Sequence, residues 1–330
     1  MSVLNRRLGA AVVVSLLGAG TILTPAATAA SSTAGATCKT VGSSATTTSG
    51  AALTCTKTSS GKTRWTAKVL PPVAAPATPA VSAPSKNLTD GCAAAGSDGL
   101  DLFPDKATIS DAKGLVISYE KSYKVVKVTN PWRGAKSGFT YVLNQCGTKP
   151  PALSGELAGA TVIEIPIKSA SVMSTTLAPQ FDALGQAEKI VAVDTPAFYS
   201  TASVVKRITS GAVKGTGGGS KANVELLVSL KPDVVITYGT GSGSFDGIDK
   251  LLSAKLPALV EAGYMEETPL GRAEWVKLIG ALTNTESRAE AEYGRWKADY
   301  KALVAKVANV NQRPVVISGS MFQEIGRAHV

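Results

Sequence analysis

One histidine, four cysteines and no Cys-x-x-Cys pair occur in the 330 residues. A single imidazole excludes every site that needs two, which removes most zinc hydrolases and histidine-rich metal binders. A Ser-His-Asp triad would have to use His329, the penultimate residue. No metal-ligand set is therefore expected. Charged residues make up only 18% of the chain, against about 25% in an average soluble domain, so a charge-rich disordered polymer is excluded. Long apolar runs are absent beyond the N-terminus, which excludes a polytopic membrane protein. The net charge is +10, but no dense Lys/Arg cluster is interleaved with aromatics. The basic balance reads as a solvated surface, with no nucleic-acid partner.

What is present begins with an export label. Arg6 and Arg7 precede a mostly apolar run from Leu8 to Leu23, and Ala27-Thr28-Ala29-Ala30 offers the small residues a signal peptidase reads. Residues 1–30 are expected to be a signal peptide cleaved after Ala29 or Ala30, leaving the protein extracytoplasmic, on the cell surface or secreted. Lipidation at Cys38 is not expected, because Gly35-Ala36-Thr37 lacks the aliphatic residue such a site uses. Outside the cytoplasm thiols oxidise. A Pro-rich stretch separates the cysteines into two pairs, so the expected disulfides are Cys38–Cys55 and Cys92–Cys146.

Residues 31–68 read as a small disulfide-linked β-module, with β-prone runs around Cys38, Leu53 and Trp65 between Gly-bearing turns. Gly61-Lys62-Thr63 imitates the end of a P-loop, but Thr56 stands where its first glycine belongs. Residues 69–86 hold five prolines among small residues and read as an extended linker. Beyond it, strand and helix signals alternate. Strands are expected at Leu115–Tyr119, Tyr123–Thr129, Thr140–Leu143, Thr161–Ile167, Lys189–Val193, Val234–Tyr238 and Ala258–Glu261. Helices are expected up to Leu184, at Val224–Leu230, at Ile248–Ala254 and from Pro269 through Ile279. Thr283 with Glu286 reads as a capping box that opens a long helix to about Ala308. The apolar residues of that helix, Ala289, Tyr293, Trp296, Tyr300, Leu303, Val304 and Val307, recur at helical spacing and read as core packing. Pro314–Ser318 looks like the first strand of another unit. The fold class is α/β: a parallel sheet with helices on its faces.

No catalytic constellation emerges. Gly239-Thr240-Gly241-Ser242-Gly243-Ser244 approaches a nucleophile elbow, but its flanking glycines are replaced. Gly217 to Ala222 fits a dinucleotide fingerprint only formally, since it does not directly follow a strand. What stands out instead is four polar loops after successive strands, Lys168–Thr176, Asp194–Thr201, Tyr238–Phe245 and Glu261–Thr268. Ligands of open α/β sheets bind outside the carboxyl ends of the strands. The candidate ligand contacts are Ser169, Ser171, Ser174, Thr175, Thr176, Tyr199, Tyr238 and Thr240; Arg272 either meets an anionic ligand or pairs with a neighbouring acid such as Glu274.

The segments VIEIPIKSASVMSTTLAPQFDALGQAEKIVAVD, NVELLVSLKPDVVITYG and PLGRAEWVKLIGALTN, in that order, resemble class III substrate-binding proteins of ABC importers, and the Lys231-Pro232-Asp233 segment is the most specific of them. FPDKATISDAKGLVISYEKSYKVVKVTNPW resembles the N-terminal extension of the iron-siderophore branch. The resemblance covers about residues 100–323 and implies two Rossmann-like lobes joined by a long connecting helix, with ligand between them. It implies a first lobe at 87–272 with an N-terminal β extension, an inter-lobe helical segment at 273–309 and the start of a second lobe at 310–323. Nearly all of that second lobe is then missing. The last seven residues, 324–330, match what a short-read library adapter encodes and read as an artefact.

By the same resemblance the chain is the binding component of an importer, not an enzyme. It would work as a monomer that captures a ferric siderophore, or else haem or cobalamin, and delivers it to an ABC permease. No cofactor is held directly; iron enters as part of the chelate. Glu225 stands where the family docks a glutamate on permease arginines. The rival expectation is an exported wall hydrolase using Ser174 or Ser242, or an adhesive surface protein.

Overall fold

A computed structural model describes residues 31–68, 82–312, 314–316, 318–322 and 325–329. The expected signal peptide and most of the expected linker lie outside the described residues. The chain divides into two compact units, Met1–Pro79 and Ala80–Val330.

In the first unit, strands β1 (Ser44–Thr46), β2 (Ala52–Lys57) and β3 (Thr63–Ala67) form an antiparallel sheet in that order. Cys38 is joined to Cys55 with Cα atoms 5.9 Å apart, as expected. Its buried apolar set is small: Cys38, Ala45, Leu53 and Cys55.

The second unit opens with a four-stranded sheet of β4 (Leu115–Tyr119), β5 (Tyr123–Val128), β6 (Phe139–Gln145) and β7 (Thr161–Ile165). The first three strands are antiparallel neighbours and β7 runs parallel to β6. Cys92–Cys146 fastens the segment before this sheet to the residue that follows its third strand, as expected. A second sheet follows, alternating with helices: β8 (Ala170–Val172), α1 (Ala178–Ala183), β9 (Ile190–Val193), α2 (Ala202–Thr209), β10 (Lys214–Gly215), α3 (Val224–Leu230), β11 (Val234–Thr237), α4 (Ile248–Ser253) and β12 (Ala258–Val260). Its order is β10–β9–β8–β11–β12, and every pairing is parallel. The first strand is at the centre and the order reverses between β8 and β11, so their connections leave in opposite directions and open a crevice at their carboxyl ends.

Local chemistry explains several elements. All four residues of β11 are buried, as a central parallel strand covered on both faces requires. Asn223 caps α3 by accepting from the Leu226 amide at 2.9 Å, and Lys231 closes that helix in the left-handed region at φ 48°. Helix α5 (Pro269–Glu274) precedes α6 (Val276–Thr283), whose eight residues are all buried, so this apolar helix lies within the core.

Four expectations require correction. The stretch Lys168–Thr176 is not all loop, because Ala170–Val172 forms β8, whereas Thr161–Ile165 belongs to the first sheet. Thr283 and Glu286 make no capping box. The Thr283 hydroxyl donates to the Ile279 carbonyl at 2.7 Å, while Glu286 is fully buried against Lys124. The 22-residue helix α7 (Glu286–Val307) packs only through its first half. Ala289 and Tyr293 are buried and Trp296 packs on the core, but every residue from Ala298 to Gln312 is exposed. Lastly, residues 314–316 form no strand; β13 (Ser318–Phe322) and β14 (Ile325–His329) make an antiparallel hairpin instead.

Candidate functional site

The carboxyl ends of β8, β9, β11 and β12 surround a crevice of about 400 Å³. Ser174 and Thr175 follow β8, Asp194 follows β9, Tyr238 and Thr240 follow β11, and Glu261 follows β12. Met173, Phe198 and Tyr264 complete its wall. The site therefore stands at the point where the strand order reverses.

The glycine-rich loop after β11 has a different role from close approach to ligand. A Cβ at Gly239 or Gly241 would meet the Trp132 ring at 2.5 or 2.7 Å, so these glycines seat an indole beside the crevice. The loop is held by Asp246, whose carboxylate accepts from the amides of Thr240 and Gly241 at 2.8 Å and from the Thr240 hydroxyl at 2.8 Å. The Tyr264 hydroxyl donates to the Gly239 carbonyl at 2.6 Å, which ties the loop after β12 to the loop after β11. Three rings stay open around the mouth: Phe198 is 69% exposed, Tyr264 44% and Tyr238 41%.

Glu261 is the buried polar group of the site, only 5% exposed. One carboxyl oxygen accepts from the Gly263 amide at 2.7 Å. Burial pushes this carboxyl up to about 7, with the charge of Glu266 adding to the rise. Asp194 sits across the site and meets the Tyr199 hydroxyl at 2.8 Å.

The crevice brings together Ser174, Thr175, Tyr238 and Thr240 of the expected contacts. Tyr199 lies behind the wall. It is 6% exposed, its hydroxyl reaches both the Val172 carbonyl and Asp194 at 2.8 Å, and burial pushes its phenol far above the ordinary value. Thr176 is exposed beside the wall and pairs with the Ser174 hydroxyl at 2.9 Å. Ser171 is wholly buried within β8. Ser169 precedes β8, at the opposite end of the strand, where its hydroxyl accepts from the Asp233 amide at 3.1 Å. Arg272 lines a neighbouring hollow with Arg133 and Asn130, which shares Thr240 and Tyr264 with the crevice. Its Nε donates to the Glu266 carbonyl at 2.8 Å. Glu225 is exposed in the first turn of α3.

Sequence reasoning missed Asp194, Phe198, Glu261 and Tyr264 as individual residues, although the loops that carry them stood out. Each follows the end of a short apolar strand, which was the available signal. Neither serine of the rival hydrolase reading meets a base among the described residues: Ser242 pairs with Ser244 at 2.9 Å and Ser174 with Thr176.

Residues 171–326 match the family model described as periplasmic binding protein. A protein of Methanocaldococcus jannaschii named as an uncharacterized lipoprotein is 22% identical over 220 residues, 59% of this chain and 52% of its own length. The chain thus spans about half the length of that curated relative. Among solved structures, a periplasmic binding protein from Veillonella parvula is 13% identical, with 65% of this chain and 62% of that one covered and a TM-score of 0.44. The iron uptake ABC transporter substrate-binding protein PiuA from Streptococcus pneumoniae is 18% identical, with 46% and 51% covered and a TM-score of 0.37. The FhuD protein from S. pseudintermedius is 24% identical, with 51% and 56% covered and a TM-score of 0.38.

Proposed function

We propose that this chain, whose residues 171–326 match the family model described as periplasmic binding protein, is the extracytoplasmic substrate-binding component of an ABC importer. It captures a small-molecule chelate, with a ferric siderophore the first choice and haem or cobalamin next, and presents it to a membrane permease. The observation that carries this reading is the crevice at the switch point of the parallel sheet. A concave wall of open rings and hydroxyls suits holding a bulky organic ligand, and it does not require chemistry.

Ser174, Thr175, Tyr238 and Thr240 are the wall's hydroxyl contacts under this proposal. Glu225, exposed at the start of α3, is the docking carboxylate toward permease arginines. Equilibrium dialysis of the exported protein against ferric hydroxamates, ferric catecholates, haem and cobalamin tests capture; retention of none of them sinks the reading. Docking is tested separately. Glu225→Ala should leave chelate binding intact and abolish uptake in cells carrying the cognate permease, and normal uptake by this variant would remove Glu225 from the docking surface.

A further inference from the structure

We propose that this crevice recognises a positive charge on its ligand: an ammonium or alkylated amine enters among Phe198, Tyr238 and Tyr264 and faces the carboxylates of Asp194 and Glu261. The inference rests on the crevice being the ligand site and specifies the chemistry that this side of it accepts.

Charge selects the class. Two carboxylates border the crevice, and among the described residues no Lys or Arg borders it. Arg133 and Arg272 face the adjoining hollow instead. Glu261 is nine-tenths buried, yet only one of its oxygens has a hydrogen-bond partner among the described residues, the Gly263 amide. A desolvated carboxylate with an open oxygen disfavours an anionic neighbour and is complemented by a cation. Asp194 likewise uses one oxygen on Tyr199. The exposed rings supply the second element of recognition. Aromatic faces attract cations electrostatically, most strongly where water is excluded, and alkylated ammonium groups lose little hydration on entering such a cage. Phe198 leaves 69% of its surface open at the mouth of the crevice, so its ring is available to a ligand. An ammonium pendant from a chelate satisfies both the rings and the carboxylates. The ligand head that needed Arg272 on an anionic reading is then left to the adjoining hollow.

The test uses two small probes of nearly equal shape: choline, and its uncharged carbon counterpart 3,3-dimethyl-1-butanol. Tyrosine-ring NMR on the full exported chain would follow Tyr238 and Tyr264 as each probe is titrated. Choline is expected to shift both rings at concentrations about tenfold lower than the neutral probe. Glu261→Gln is expected to erase most of that preference. Phe198→Ala, a surface change that leaves the core intact, is expected to weaken choline about threefold. Equal affinity for the two probes, preference for the neutral one, or no ring shift with either overturns the proposal. The chelate reading is judged by its own dialysis test, so retention of an uncharged or anionic chelate together with failure of choline would discard the cation inference alone.

Discussion

Glu261 and Lys124 are both ionisable and both buried, yet the two positions call for opposite expectations. Glu261 carries a carboxyl raised to about 7 by burial. The sign follows from proton linkage: a carboxyl raised on folding favours the folded state below its unfolded value near 4.3, and that contribution is lost as pH rises through about 7. Glu261→Gln should therefore stabilise the protein at pH 8 by about 3–4 kcal/mol and match wild type near pH 4. Urea denaturation at both pH values checks it, and an equal effect at the two would refute the assignment. Lys124 is fully buried, donates to the Ala281 carbonyl and to Asn284 at 2.8 and 2.7 Å, and pairs with Glu286. Burial lowers its ammonium to about 8 while Glu286 opposes the fall. Removing one partner of a buried pair strands the other charge, so Lys124→Met should cost about 3–5 kcal/mol. The double change Lys124→Met with Glu286→Leu should recover much of that loss, as a double-mutant denaturation cycle would show.

Elements are held to one another by carboxylates that accept backbone amides. Glu274 on α5 accepts from Ser110, Asp111 and Ala112 at 2.9, 2.6 and 2.7 Å and from Lys277 at 3.0 Å. Glu266 accepts from Lys113 at 2.9 Å, Gly114 at 2.9 Å and the Trp275 indole at 3.0 Å. Together they clamp the segment leading into β4 onto the helical layer. Burial pushes the Glu274 carboxyl up, but the three amides and Lys277 outweigh it and hold it below the ordinary value. Its contribution is therefore present above about pH 4.3 and lost as pH falls through the folded value. Glu274→Gln should flatten the acid side of the stability profile. Glu274→Ala should cost about 3 kcal/mol and speed hydrogen exchange at residues 110–112, which lose their acceptor. Such clamps are illegible in a sequence, since Glu274 and Ala112 are 162 positions apart. The same reason hid the role of Glu286, whose spacing from Thr283 imitates a cap while its partner lies in β5. Local signals were legible: the apolar run Val224–Leu230 was read as a helix, and α3 spans those residues. Strand β8 escaped because Ala-Ser-Val is three residues long, with a serine before it and another at its centre. The crevice was legible as loops following strands. Which residues of those loops face it depends on the strand order, and β-pairing across the chain sets that order.

At the scale of the whole molecule, the two units differ in what keeps each folded. The second unit has a continuous core from Phe103 on the β4 side to Tyr293 on α7, including the wholly buried Trp275, Phe181 and Leu282. A unit with a core of this extent does not depend on a single crosslink. The first unit buries few apolar side chains, and two of them are its own cysteines. Units this small lie below the size at which a hydrophobic core alone suffices, so the disulfide supplies the balance. Closing a loop between residues 17 apart contributes about 3 kcal/mol through the unfolded chain, comparable with all the stability such a module can have. Reduction should therefore unfold residues 31–68 at ambient temperature while the second unit remains folded with a lowered melting temperature, because it loses Cys92–Cys146 but keeps its core. Calorimetry with and without reductant would resolve the two transitions. Cys38→Ala with Cys55→Ala should abolish the first transition and leave the second transition where it stands in the parent protein. A single transition that shifts as one in the reduced protein, or a lowered second transition in the double variant, would show instead that the two units fold as one cooperative body.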